Sequence, residues 1–177
     1  MDKTRLLRGA FVAAGAACSL GSALSAASPD TRLADFKGRV LAVHNGERAS
    51  LGLHQLIWSD ALEANASKWA AHLAMLPDLE HDNSIDVEGE NLWRGTKGSY
   101  TPEDMVELWI DEKKAFNGHA VPDASITGDF EDVGHYTQLV WSTTRLVGCA
   151  VADATGGDEV MVCRYMEGGN VVGVKPF

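Results

Sequence analysis

The stretch Gly134-His135-Tyr136-Thr137-Gln138-Leu139-Val140-Trp141, continuing to Cys149-Ala150 and followed by Val160-Met161-Val162-Cys163-Arg164-Tyr165, constrains the fold more than any other part of the chain. A period of two puts His135, Thr137, Leu139 and Trp141 on one side of an extended segment and Tyr136, Gln138 and Val140 on the other. The spacing therefore predicts a strand over 134–141, with further strands at 146–152 and 159–166. Residues 154–158, Ala-Thr-Gly-Gly-Asp, supply the turn between the last two. Read as an antiparallel hairpin, those two runs bring Cys149 and Cys163 onto neighbouring strands, within the range a disulfide can bridge. On the first strand His135 falls in register with a Leu and a Trp and would be aimed at a cleft. The plainer reading is an edge-strand histidine bonded to a loop, and for a lone histidine the plainer reading prevails.

Upstream, Phe36, Val40, Val43 and Leu51 recur at helical spacing, and Gly52 lies where such a helix would stop. Ser59 is a good N-cap for a second helix with Leu62, Ala66, Trp69, Ala70 and Leu73 on its apolar face, ending near Leu76-Pro77. The segment 78–89 is a polar, acidic loop in which His81 has no evident role of its own. Leu92 and Trp93 then pin the segment 88–93 to the body of the protein and hold Glu90 beside apolar groups. Thr101-Pro102-Glu103-Asp104 is a helix start, with a capping hydroxyl, proline in the first turn and carboxylates at the positive end of the dipole. On that helix Glu112 extends the face of Met105, Leu108 and Trp109, where a carboxylate needs a partner. Alternatively the helix rotates and lets Glu112 meet Lys113 or Lys114. Residues 117–133 have loop composition.

The first residues show the order of an export leader: Lys3, Arg5 and Arg8, an apolar run from Gly9 to Leu24, then the small residues Ser25-Ala26-Ala27. Residues 1–27 are expected to be a signal peptide and 28–177 one domain. A membrane-spanning anchor fits less well, because the run is short and interrupted by Gly and Ser. A lipid-modified Cys18 is the second alternative, although Gly15 stands where a Leu would be expected. Cleavage after Ala27 would take the formal net charge from −10 to −12. So acidic a chain is a poor partner for nucleic acid or anionic membrane surfaces. It would also leave Cys149 and Cys163 as the only cysteines, an even count that reads as one disulfide in an exported protein.

The block around His135 resembles the GHYTQxVW and CxY signatures of the CAP superfamily, also called SCP-domain proteins: cysteine-rich secretory proteins, antigen 5 and the pathogenesis-related proteins. The resemblance extends through Leu41-Ala42-Val43-His44-Asn45-Gly46-Glu47-Arg48, Leu56-Ile57-Trp58-Ser59-Asp60-Ala61-Leu62, Gly89-Glu90-Asn91-Leu92 and Trp109-Ile110-Asp111-Glu112. It implies an α+β fold, a three-layer α-β-α sandwich with a small, mostly antiparallel central sheet. It also implies that His81, Glu90, Glu112 and His135 converge on one cleft, and that the HNxxR residues stabilise the fold. Two imidazoles suit a divalent metal such as zinc in an open site, with Glu90 and Glu112 orienting the rings. The chain departs from the family's CNYxPxGN ending, having Arg164 for Asn and no proline, and it lacks the additional cysteines and the cysteine-rich extension of eukaryotic members. A bacterial-type, single-domain version in the periplasm or the medium is expected.

Two function classes follow. One is a secreted, non-enzymatic module whose cleft binds metal while other surfaces take a lipid or an extracellular protein. The other is an extracellular hydrolase in which a metal-bound water or His135 acts as base beside Glu112 or Glu90. The sequence has no HExxH motif and no nucleophile-elbow serine, and strand parity puts Ser142 opposite His135. Binding is the favoured reading.

Overall fold

The computed structural model describes residues 31–177. The expected leader, its cleavage point and Cys18 lie outside the described residues. The elements run α1 (Phe36–Ser50), β1 (Ile57–Trp58), α2 (Asp60–Leu73), β2 (Gly89–Thr96), α3 (Pro102–Asp111), α4 (Gly134–Leu139), β3 (Leu146–Asp153) and β4 (Asp158–Met166). The fold is a three-layer α-β-α sandwich around a four-stranded sheet in the order β1-β3-β4-β2. The strands β3, β4 and β2 are antiparallel neighbours, and only the short β1 runs parallel to its partner β3.

Strand parity separates the two sides of the sheet. Leu92, Val160 and Val162 pack with Ala66, Ala70 and Leu73 of α2. Trp93, Cys149, Met161, Cys163 and Tyr165 pack with Val40 of α1, Met105 and Trp109 of α3, and Tyr136 and Leu139 of α4. The approach of α2 is close enough that a Cβ on Gly148 would stand 2.2 Å from the Glu63 nitrogen. No larger residue fits there without moving the helix off the sheet. Cys149 and Cys163 are register partners and form a disulfide on the opposite side of the sheet from α2.

Local chemistry sets the helix ends. Ser59 accepts from Leu62 N at the start of α2. At the other end Arg94 reaches across from β2 to the Leu73 and Leu76 carbonyls, the first of which also accepts from Leu76 N at 3.0 Å. Thr101 and Asp104 form a reciprocal capping box at the start of α3, with Pro102 in the first turn.

The buried stripe of α1 is not the expected apolar row of Phe36, Val40, Val43 and Leu51: it is Val40, His44 and Arg48, four apart. Arg48 is fully buried. Its Nε donates to His54 O at 2.8 Å, its Nη1 to Leu139 O and Trp141 O at 2.9 Å each, and its Nη2 to Thr144 O at 3.1 Å. Burial lowers this guanidinium to about 10, still far above neutral pH, so the chain between α4 and β3 is wrapped around a cation. Asn45 binds both backbone groups of Leu56 and holds the entry to β1.

The strand expected over 134–141 is instead the helix α4, closed by bonds from Thr137 N to Val133 O and Val140 N to Tyr136 O. Tyr136, Thr137, Gln138 and Leu139 are all buried in succession. Four successive residues buried on every side have no solvent face, so their polar–apolar alternation reported no orientation. The polar members are satisfied one by one instead: Gln138 Oε1 accepts from Gly169 N at 2.7 Å, and Thr137 Oγ1 lies 2.7 Å from Asn170 Oδ1. The parity argument about Ser142 lapses with the strand. The strand β2 had no strand signal in the sequence, because Leu92 and Trp93 are buried on opposite faces and Glu90, Asn91 and Arg94 interrupt them. No helix among the described residues is long and apolar enough to cross a membrane.

Candidate functional site

Beside the first residues of the edge strand β2 the two sides of the sheet meet. There a cleft of about 410 Å³ is lined by His81, Glu90, Asn91, Phe130, Glu131, Gly134, His135 and Asn170. His81, Glu90 and His135 are thus on one wall system, while Glu112 is not part of the lining and stands behind His135.

Each histidine is held through the same ring atom. His135 Nδ1 lies 2.6 Å from Glu112 Oε1, and His81 Nδ1 lies 2.7 Å from Glu90 Oε1. A carboxylate accepts, so in the neutral ring Nδ1 carries the proton and Nε2 keeps its lone pair. Glu112 does more than orient the ring. Its Oε2 accepts from the backbone nitrogens of both His135 and Tyr136, at 3.0 Å each. Val133 precedes α4 and offers no side-chain cap, so a carboxylate delivered from the end of α3 takes its place. The reading that put Glu112 with the lysines is excluded by their own pairs: Lys113 meets Glu47 at 3.1 Å and Lys114 meets Asp111 at 2.8 Å. Trp109 stacks on the His135 ring, with centroids 5.8 Å apart and planes inclined by 13°.

The other pair is built differently. His81 belongs to the loop after α2 and its side chain is 64% exposed, whereas Glu90 is 2% exposed. Glu90 Oε1 also accepts from Asp82 N at 3.1 Å, and its Oε2 faces Arg164 Nη2 at 3.0 Å. The hydrogen bond to Glu90 holds the His81 imidazole above its ordinary range, against the effect of its burial. A buried chain supports the cleft from below. Asn91 Nδ2 donates to His135 O at 3.0 Å and lies 3.2 Å from the Tyr165 hydroxyl, which is 2.9 Å from His44 Nε2, and His44 Nδ1 is 2.8 Å from Val40 O.

Sequence reasoning assigned no role to Asn91, Asp82, Arg164 or Asn170. For Arg164 a signal existed, since it is a charged residue within the otherwise apolar run 160–165, whereas Asn91, next to Glu90 in a mixed polar segment, gave none. For Asp82 and Asn170, both in loops, there was none.

As a donor set, the cleft is lined by two imidazoles whose Nδ1 atoms are engaged by carboxylates, which leaves a lone pair on Nε2 of each neutral ring. This fits a divalent ion that takes its other ligands from water or from a bound molecule. Among the described residues no group of three or more His, Cys, Asp or Glu is arranged to hold a metal, so a closed protein cage is not what these side chains build.

The family model described as the cysteine-rich secretory protein family matches residues 41–165. Pathogenesis-related protein 1B of Nicotiana tabacum is 34% identical over 137 residues, covering 77% of this chain and 78% of that protein. Pathogenesis-related protein PR-1 of Medicago truncatula is 36% identical over 143 residues, covering 80% and 79%. Among solved structures, that of NaASP2 with Zn2+ superimposes with a TM-score of 0.66 at 22% identity, covering 85% of this chain and 86% of the other.

Proposed function

The chain belongs to the cysteine-rich secretory protein family, and we propose that it is an exported, non-enzymatic binding module whose cleft takes a divalent metal through Nε2 of His81 and His135. The observation that carries this reading is the pair of short Nδ1–carboxylate contacts, 2.7 Å to Glu90 and 2.6 Å to Glu112. Two separate elements of the fold supply carboxylates to two histidines that line one cleft, which supports the reading. A metal bound there would supply Lewis acidity and a coordination point for a ligand atom. Zinc is the first ion to try, since a protein of the same fold has been solved with it.

Calorimetric titration of untagged protein with zinc tests the reading. Wild type is expected to bind, and His81→Ala and His135→Ala each to lose binding. Affinity unchanged in both variants would mean that the cleft is not a metal site. Metal requires neutral imidazole. Because Glu90 raises the affinity of His81 for a proton, zinc affinity should begin to fall, as pH is lowered, from above the ordinary histidine value of about 6.5.

The physiological ligand is proposed to be a small lipid or an extracellular protein. Native mass spectrometry of protein exported by its own leader would show retained lipid and metal together. Amino-terminal sequencing of the same material should begin at Ser28, placing the protein in the periplasm or the medium. A lipid-modified Cys18 would instead tie it to a membrane surface.

A further inference from the structure

We propose that Arg164 is a positioning residue for the cleft: it clamps the loop 81–88 onto the sheet and so holds His81 against Glu90. The inference deepens the metal reading above and rests on it for its consequence, though not for its geometry. Arg164 is 1% exposed and sits on β4 directly opposite Glu90 on β2, both on the face covered by α2. Their closeness is therefore fixed by backbone register. From that position the guanidinium serves three carboxylates. Nη2 lies 2.8 Å from Asp82 Oδ2 and 3.0 Å from Glu90 Oε2, and Nη1 lies 3.4 Å from Glu88 Oε2. Asp82 and Glu88 come from the two ends of the loop that carries His81, so one cation ties both ends to the strand pair.

The electrostatics make this arrangement one-sided. Glu90 and its neighbours are buried or nearly so, and the planar fork lets one side chain hydrogen-bond Asp82 and Glu88 while its charge stands 3.0 Å from Glu90 Oε2. Without it, three carboxylates would face one another with no guanidinium between them, and repulsion would push the loop outward. His81 follows the loop, because Asp82, its neighbour in the chain, is bound twice: through its side chain to Arg164, and through its backbone nitrogen to the same Glu90 Oε1 that holds the His81 ring. A loop histidine with 64% of its side chain exposed has little else to define its direction. In the resemblance drawn from the sequence the position of Arg164 belongs to Asn, which cannot reach three partners at once. In this chain the direction of His81 would thus depend on a residue that does not touch the cleft.

The test uses Arg164→Met, which keeps length without charge, Arg164→Lys, which keeps charge without the fork, and Asp82→Asn, which releases one leg of the clamp. In metal-free protein, long-range proton–nitrogen NMR should show His81 as the single Nδ1–H tautomer in wild type. It should become a tautomer mixture in Arg164→Met, with Arg164→Lys and Asp82→Asn intermediate, while His135, held by Glu112, stays unchanged in all three. Zinc affinity should fall about ten- to a hundredfold in Arg164→Met, the range for losing an outer partner of a metal-bound histidine. A variant lacking the disulfide, Cys149→Ala with Cys163→Ala, serves as the comparison for general destabilisation and should keep wild-type affinity. Wild type that binds zinc, with Arg164→Met leaving both the His81 tautomer and the affinity unchanged, overturns the proposal and leaves the metal reading standing. Wild type that binds no zinc, with a His81 tautomer that still responds to Arg164→Met, overturns the metal reading and supports the clamp. Should Arg164→Met not fold, an unchanged His81 tautomer in both Arg164→Lys and Asp82→Asn also overturns it.

Discussion

At the scale of single residues, the two histidines are organised by two carboxylates with unequal second duties. Glu112 caps α4 through the nitrogens of His135 and Tyr136 while it fixes the His135 ring. Glu112→Gln should therefore act twice. Two backbone N–H groups need an acceptor, so the Gln oxygen turns to them and its NH2 faces His135 Nδ1. A donor at that point moves the ring proton to Nε2 and removes the lone pair a metal requires. Zinc affinity should drop about ten- to a hundredfold, with the helix retained, as calorimetry and far-ultraviolet circular dichroism of the variant would show. An unchanged affinity would mean that the His135 tautomer does not matter for binding. These residues were unequally legible. Glu112 was half legible, because a carboxylate on an apolar helix face demands a partner, while a rotated helix that let it meet Lys113 or Lys114 was an equal alternative. His81 was not legible, since a histidine in an acidic loop carries no sign of the buried Arg164 and Glu90 that define its place, and only the resemblance singled it out.

Among the elements, the expectations held where a segment has a solvent face or is bounded by clear turn or cap residues, as the buried β4 is by the glycines before it, and failed where neither signal exists. The amphipathic α2 and α3, with their Ser59 and Thr101 caps, follow from spacing and end chemistry. The hairpin of β3 and β4 follows from its apolar runs and the glycines between them. The helix α4 and the strand β2 could not be read in this way, because Tyr136 to Leu139 and Leu92 with Trp93 are enclosed on all sides and periodicity then reports nothing. The hairpin carries its own prediction. Cys149 and Cys163 are 14 residues apart in sequence and pair across it, so the crosslink should contribute about 3 kcal/mol by restricting the unfolded chain. Replacing both by Ala should lower the urea midpoint by the equivalent of that amount. The sheet should persist in the variant, since the flanking register pairs from Leu146–Met166 to Asp153–Glu159 remain. Midpoints that coincide would mean that the bridge contributes nothing to stability.

Over the whole molecule, one hydrogen-bonded chain joins the helical layer to the cleft: Val40 and His44 on α1, Tyr165 on β4, Asn91 on β2 and the carbonyl of His135 on α4. Its imidazole, His44, gives the fold a pH dependence whose sign can be stated. Burial lowers the His44 imidazole to about 4, so in the folded state the ring stays neutral, donating from Nδ1 to Val40 O and accepting at Nε2 from Tyr165. The unfolded chain takes up a proton at about 6.5. Stability from this group is therefore complete above about 6.5 and is lost as pH falls from there toward 4, about 2 kcal/mol of it by pH 5. For a chain of this size that corresponds to a fall in Tm of roughly 4–8 °C between pH 7 and pH 5. His81 acts in the opposite sense, since Glu90 raises its proton affinity in the folded state and the stability it adds is lost as pH rises. The measurement therefore belongs in a His81→Ala background. Asp82, held down to about 2 chiefly by its bond from Ser84, loses its contribution only below the ordinary carboxylate value, outside this window. Melting curves at pH 7 and pH 5 should show the fall in His81→Ala, and His44→Gln in the same background, with no group to titrate at that position, should nearly abolish it. An equal fall in both proteins would place the acid sensitivity elsewhere and deny the buried chain its part in it.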